Sequence, residues 1–390
     1  MSFTETTTTS WFGRIKKALV GLLVGLLSLV ISIGLLIWNE GRAIQTYRAL
    51  AEGAAAVVSI DATSRDPGND GKLVHISAPV SVEGVPRDSL FGISAEKAVG
   101  LSRSVEMYQW VENSESKTEK KIGGGEETTT TYSYQKEWRS GRVDSSRFKR
   151  ADDHANPDSM PEAQTFVADA ARIGVFSVPA EMVADIGQRS AISPTDADVA
   201  SAATQLSADR PVKRDGQTIY VGQSAKTPDV GDLRLSFERI DAKEASFIGR
   251  QNGEALVAYV SKNGRDIFLS AGGDADAARM FQSAQSENTV ITWILRLVGL
   301  LVMFIGFVLV FSIFSVLADI IPFVGSIVSF GTTLFAFVLT LLLGAVVIAI
   351  GWIAYRPMLA IGILAVAGVV AFWLVRRRRS AVAAPQPAAV

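Results

Sequence analysis

The sequence predicts a multi-pass α-helical membrane protein, with one N-terminal plus three C-terminal spanning helices and a large mixed α+β extramembrane domain between them. Three observations predict it. Residues 18–38 carry no charged side chain, and at 1.5 Å per residue such a run crosses a hydrocarbon core roughly 30 Å thick. From residue 291 the chain is apolar almost to its end, in three successive runs at 291–317, 327–352 and 358–375. Residues 39–290, by contrast, mix charged, polar and apolar side chains as a water-exposed domain does.

The first span follows Arg14, Lys16 and Lys17 and closes on Trp38, an aromatic suited to the membrane interface. A cleaved signal peptide is the competing reading. Its apolar region is normally about 7–15 residues, and the A-x-A candidate Ala49-Leu50-Ala51 lies well past the apolar run. An uncleaved anchor is therefore expected. In the C-terminal part, the segment 318–322 interrupts the first apolar run, Tyr355-Arg356-Pro357 ends the second, and Arg376, Arg377, Arg378 and Arg379 stop the third. Trp293, Trp352, Tyr355 and Trp373 sit at the ends, as interfacial aromatics do.

Four spans put both termini on one side. The positive-inside rule makes that side the cytoplasm, because residues 1–17 and 376–390 carry the basic flanks and the short loop before the last span has only Arg356. Residues 39–290 then lie outside. The Thr-rich start, 1–10, and the Ala/Pro end, 380–390, read as disordered tails.

Within the middle domain, 43–59 continues as a helix and 73–77 alternates as a strand. Strands at 105–112 and 128–138 flank a charged stretch with Gly123-Gly124-Gly125 near its tip, the pattern of a long hairpin. The glycine triplet lacks the strand–glycine–helix setting of a phosphate loop and reads as a loop tip. Trp110, Tyr132, Tyr134 and Trp138 could stack on a ligand or base, although cross-strand packing explains aromatics in such strands more simply. Helices are expected at 162–175, 180–189 and 195–208. A meander follows at 232–239, 245–250, 255–260 and 266–270, with type I′ turns at Asn252-Gly253 and Asn263-Gly264, and a helix at 274–286 leads back to the membrane.

The chemistry-bearing residues are few. The chain has no cysteine, which excludes disulfides, thiolate metal sites and a Cys nucleophile. Its two histidines, His75 and His154, cannot form a HExxH site. A formal net charge of -1 gives no basis for nucleic-acid binding. Ser224 sits one glycine short of a nucleophile elbow, and Asp152-Asp153-His154 reads as a turn rather than a metal site. No catalytic, cofactor or metal residue is assigned, and a small-molecule ligand stays open. In the membrane part, Arg296, Asp319 and Arg356 are isolated charges near span ends; such groups are functional candidates by default, though anchors at span ends can snorkel to water. Gly21-x-x-x-Gly25 offers a face for close helix association.

Several blocks carry a wider resemblance. Asn39-Glu40-Gly41-Arg42-Ala43 follows the first span, and Val105-Glu106-Met107-Tyr108-Gln109-Trp110-Val111-Glu112 comes next. Tyr132-Ser133-Tyr134 with Glu137-Trp138-Arg139-Ser140, then Val230-Gly231-Asp232-Leu233-Arg234, and finally Tyr355-Arg356-Pro357 complete the order. Together they resemble the transmembrane protein 43 (LUMA) family across nearly the whole chain. The resemblance implies the same one-plus-three layout, self-association, and a role in organising membrane or envelope protein complexes, with no catalytic residue to carry over. It implies an endoplasmic reticulum or inner nuclear membrane location in a eukaryote, and the inner (plasma) membrane in a bacterium. Asn39, Glu40, Gly41, Arg42, Trp110, Tyr134, Trp138, Arg296, Asp319, Arg356 and Pro357 are the candidate structural or interaction residues. The expected function is thus a non-enzymatic scaffold, with the lipid bilayer, further copies of the chain and other membrane proteins as partners. The alternative is a transporter, channel component or lipid-handling protein working through the C-terminal helices.

Overall fold

The computed structural model describes residues 2–206 and 210–353, together with residues 362, 365, 366, 368–370, 372 and 373. In chain order it begins with β1 (Ser2–Thr9), α1 (Trp11–Ala56), β2 (Val58–Ser59), β3 (Leu73–Glu83), β4 (Gly100–Lys120) and β5 (Glu126–Arg139). Short elements follow: β6 (Gln164–Val167), β7 (Ala170–Ile173), β8 (Phe176–Val178), α2 (Ala180–Asp185), β9 (Gln188–Ile192) and α3 (Asp196–Leu206). Then come β10 (Val212–Asp215), β11 (Thr218–Val221), β12 (Leu233–Asp241), β13 (Glu244–Asn252), β14 (Ala255–Val257), β15 (Tyr259–Val260), β16 (Asp266–Ile267) and β17 (Leu269–Gly272). The helices α4 (Ala277–Ala318) and α5 (Pro322–Ile353) complete the described elements.

The chain divides into two compact units. The first comprises Met1–Glu5, Ala49–Glu115 and Thr130–Ala284; the second comprises Thr6–Arg48, Ser116–Thr129 and the chain from Gln285 on.

The first unit is β-rich rather than evenly mixed. One sheet runs in the order β1-β5-β4-β12-β11-β10, with β6 also paired to β4 and β9 to β12. In β12 the buried side chains Leu233, Leu235 and Phe237 alternate with partly exposed ones, and they join Leu101, Val105, Met107 and Phe91 in one core. A second sheet runs β17-β13-β14-β8-β7-β3-β2, an added β13–β3 pairing closes β13, β14, β8, β7 and β3 into a ring, and β15 and β16 pair as a separate two-stranded sheet. The core of the second sheet gathers Ile76, Ile173, Phe176, Val183 and Phe247.

Several expectations are corrected here. The segment expected as a helix at 162–175 forms β6 and β7, because its apolar side chains find strand partners: Leu101 lies opposite Phe166 and Val80 opposite Ile173. Gly174, at φ +58°, turns β7 into β8, and a Cβ there would come 2.2 Å from the Ala62 carbonyl oxygen. The helix expected at 180–189 is only α2, with Gln188 already in β9. The C-terminal strands are no meander, since β12 belongs to the first sheet and β13 to the second. Neither Asn-Gly pair makes a type I′ turn, because Lys97 is the one non-glycine with positive φ among the described residues. Asn252 ends β13, and the loop is Gly253-Glu254. The other loop, residues 261–265, has five residues and includes Gly264 at φ +80°. The N-terminal tail is strand β1 rather than disordered, and Phe3 stacks on Tyr132 with ring centroids 6.1 Å apart.

The second unit is built on three helices long and apolar enough to cross a membrane: Trp11–Ala56, Ala277–Ala318 and Phe323–Gly351. Large apolar side chains stand outward along each, among them Val30 at 68 %, Leu297 at 69 % and Phe330 at 72 % exposure, the lipid-facing pattern of a spanning bundle. Inside, Leu36, Met303 and Val347 form a core contributed by all three helices. The fourth expected span, 358–375, falls mostly outside the described residues, as do the arginines at 376–379 and the tail at 380–390.

Candidate functional site: a polar seam between apolar helices

Close packing of α1 against α4 begins with glycine. A Cβ on Gly25 would lie 2.7 Å from the Gly306 carbonyl oxygen, and one on Gly306 would lie 3.0 Å from the Gly25 carbonyl oxygen. A Cβ on Gly299 would strike Leu36 at 2.7 Å. Small residues let helix backbones approach where no hydrophobic force drives association in lipid. The Gly21-x-x-x-Gly25 face is therefore used within the chain, with Gly21 facing Leu309 and Ser312, and is covered as a face for a second copy.

Where the apolar run of α1 ends, the contact becomes polar. Arg296 donates from Nε and Nη2 to the two oxygens of Glu40, at 2.7 and 2.8 Å, with both side chains buried. The Arg296 guanidinium also lies 4.7 Å from the Trp293 ring centre. Asn39 donates to the Thr292 carbonyl at 3.0 Å, Arg42 donates to Asn288 at 3.1 Å and to the Thr292 hydroxyl at 3.0 Å, and Asn288 donates to the Ala43 carbonyl at 2.9 Å. Asn288, Thr292 and Arg296 recur every fourth residue, so they form one stripe on α4 facing Asn39, Glu40 and Arg42 on α1. No atom of the described residues would stand within 4 Å of a Cβ on Gly41, and the close fit occurs instead at Gly351 of α5, where a Cβ would meet Glu40 at 2.9 Å. A cavity of about 300 Å³ opens beside this seam, bordered by Glu40, Tyr47, Arg48, Asn288, Trp293 and Arg296 among others.

A second cluster forms around Asp319. Sequence reading treats this residue as an isolated anchor near water, but its side chain is fully buried. Arg14 donates to one oxygen and Lys120 to the other, the latter at 2.7 Å. Arg14 also pairs with Glu126 at 3.0 Å and donates to the Gly124 carbonyl at 2.7 Å. A buried carboxylate needs such partners, because desolvating an unpaired charge is prohibitive. The glycine triplet is indeed at a hairpin tip, and that tip belongs to the helical unit. Nothing in the sequence pattern signals that Lys120, read as outside, and Arg14, read as cytoplasmic, share one carboxylate.

The aromatic candidates of the β-rich unit pack against protein. Tyr134 stacks on His154 at 3.9 Å, Trp110 meets the same ring edge-on at 4.6 Å, and Trp138 packs on Tyr108 with Arg234 3.9 Å from its ring centre. The Tyr134 hydroxyl donates to Glu112 at 2.7 Å, and burial, aided by that bond, pushes its pKa up to about 12. His75 is held between Ser59 at 3.1 Å and the Ala275 carbonyl at 2.8 Å. Ser224 offers its carbonyl to Tyr220 at 2.9 Å. Among the described residues no group of three His, Cys, Asp or Glu side chains is placed to hold a metal. Arg356 and Pro357 lie outside the described residues.

One buried pair escaped sequence reading. Arg103 donates to Asp88 at 2.6 Å and covers the Phe91 ring at 5.0 Å. Alternation in β4 marks position 103 as inward-facing, but an arginine there reads as exposed until its partner is known.

Three long apolar helices, two of them pinned together by buried ion pairs, with a β-rich extramembrane region define an integral membrane protein. The Transmembrane protein 43 family profile matches residues 107–357. The mouse Transmembrane protein 43 is 35 % identical over 371 residues, covering 92 % of this chain and 90 % of its own length. The human protein of that name is 34 % identical, covering 89 % of this chain and 88 % of its own, and the Drosophila melanogaster homologue is 31 % identical over 69 % of this chain and 70 % of its own. This chain belongs to the Transmembrane protein 43 family, as the sequence blocks indicated. No solved structure matches it.

Proposed function

We propose that the protein is a non-enzymatic membrane scaffold that self-associates and organises membrane or envelope protein complexes through its β-rich extramembrane region. The observation that carries this reading is the bidentate Glu40–Arg296 pair, which with the glycine contacts below it fixes α1 against α4 as a rigid mount. The transport alternative is less well supported, because the Asp319 carboxylate it would use is engaged by Arg14 and Lys120. Both histidines serve structural contacts, which favours binding over acid–base chemistry. With the Gly21-x-x-x-Gly25 face covered, self-association falls to the outward apolar faces, such as the one around Phe330. Crosslinking in native membranes, followed by mass measurement of the solubilised protein, tests the proposal. Oligomers with co-purifying membrane proteins are expected, and a strict monomer without partners overturns it.

A further inference from the structure

We propose that the tip of the β4–β5 hairpin is a membrane anchor in its own right, with the Ile122 side chain inserted among the lipids beside the start of α1 and the end of α4. Ile122 is 95 % exposed, more than any other large apolar side chain among the described residues. One exposed apolar residue on a loop is ordinary. The placement of this one is not, because the turn that carries it is fastened to the ends of apolar helices.

The contacts that hold the tip there all lie within the helical unit. Gly123 donates its amide to the Ile320 carbonyl at 3.2 Å, and the Gly124 carbonyl accepts from Arg14 at 2.7 Å. On the two sides of the turn, Lys120 donates to Asp319 at 2.7 Å and Glu126 pairs with Arg14 at 3.0 Å. Gly123 and Gly124 have φ of +89° and +80°, and a Cβ on Gly124 would lie 2.3 Å from the Trp11 ring. Only glycine accepts both that backbone and that approach. The turn is thus pressed against α1 while Ile122, next to it in the chain, stands clear of the protein.

The helix ends to which it is fastened are apolar and exposed. Phe12 is 76 % exposed beside Trp11, Ile320 and Ile321 are exposed in the connection between α4 and α5, and Phe323 is 75 % exposed at the start of α5. These side chains run on into Ile327 and Phe330 of the lipid-facing surface of α5. Ile122 extends that surface, and this continuity makes lipid its partner. Lys16 and Lys121 are exposed nearby, and lysine stems lie along apolar surface while their ammonium groups stay in water. Such a mixture of aliphatic, aromatic and basic side chains suits the boundary between headgroups and acyl chains.

The test uses the full-length protein in vesicles of dioleoyl phosphatidylcholine. The chain has no cysteine, so Ile122→Cys, Lys117→Cys and Phe330→Cys each take one nitroxide spin label. Paramagnetic resonance then compares access by oxygen, which concentrates in lipid, with access by a nickel chelate, which stays in water. The oxygen-to-nickel ratio at 122 should resemble that at 330 and exceed that at 117 by about tenfold, as removing an isoleucine side chain from water favours. The label at 117 is the same apolar group, so it controls for the label's own affinity for lipid. A ratio at 122 equal to that at 117 puts the tip in water and overturns the proposal. Poor access of both reagents to 122 means that protein covers the site, and also overturns it. So does spin–spin broadening at 122 that dilution with unlabelled protein removes, which identifies the partner as a second copy of the chain.

Discussion

Arg296 of α4 grips Glu40 of α1 through two parallel hydrogen bonds of 2.7 and 2.8 Å, although 256 residues separate them in the chain. Taken together with the Asn39, Arg42, Asn288 and Thr292 contacts, this pair converts the junction of two apolar helices into a specific register. A hydrophobic interface alone would leave that register loose, because lipid and leucine are equally apolar.

Removing one partner leaves the other charge buried. Glu40→Gln and Arg296→Met should each destabilise the protein by about 3–5 kcal/mol, and the double variant should recover much of the loss. Thermal unfolding in detergent, followed by tryptophan fluorescence, checks this. Additive losses in the double variant would show that the two residues act independently.

The glycine contact makes a sharper steric forecast. Gly25→Ala places a methyl 2.7 Å from a backbone oxygen of α4, so the helices must part, at a cost of about 1–3 kcal/mol. Gly34→Ala meets no atom of the described residues within 4 Å and should be neutral or slightly stabilising. Similar melting temperatures for the two variants would contradict the packing described.

The Asp319 cluster predicts a contact that can be trapped. The chain contains no cysteine, so introduced pairs report without background. Lys120→Cys with Asp319→Cys should be joined by a short membrane-permeant bismaleimide in intact membranes. Lys117→Cys with Asp319→Cys should be joined far less, since Lys117 is 80 % exposed and pairs with Glu119. Failure of the first pair to link would place the hairpin tip elsewhere in the membrane-bound protein.

Tyr134 predicts a pH effect at alkaline pH. Its pKa, raised by burial and by the bond to Glu112 from the ordinary tyrosine value of 10.0 to about 12, means that the folded state holds the proton more tightly than the unfolded one. The resulting stabilisation is complete below pH 10 and is lost as pH rises towards 12. Tyr134→Phe should flatten that part of the stability curve, and denaturant unfolding at pH 9 and 11 measures the difference.

Much of the architecture was legible in the sequence. The apolar runs at 18–38, 291–317 and 327–352 can be read locally, because a spanning helix satisfies its own backbone and depends on composition. The hairpin with its glycine tip was legible for a similar reason, from β-formers on either side of a turn. The strands at Gln164–Val167 and Ala170–Ile173 were not, because partners in β4 and β3 overrode a local pattern compatible with a helix. On the candidate site, the four-residue spacing of Asn288, Thr292 and Arg296 was available as a polar stripe on an apolar helix. Glu40 was noticed only within the resemblance, and its partner could not be inferred.

By itself, then, the sequence determined that this chain enters the membrane, the three apolar helices described here that are able to cross it and the family to which it belongs. Hydrophobicity, helix length and residue order are properties of the chain alone. Only the tertiary structure decided that Asp319 is clamped by Arg14 and Lys120, that Gly25 is occupied by Gly306, and that Glu40 closes on Arg296 beside a cavity. Each of these is a pairing between residues far apart in sequence, and a charge or glycine in isolation carries no record of what will desolvate, neutralise or approach it.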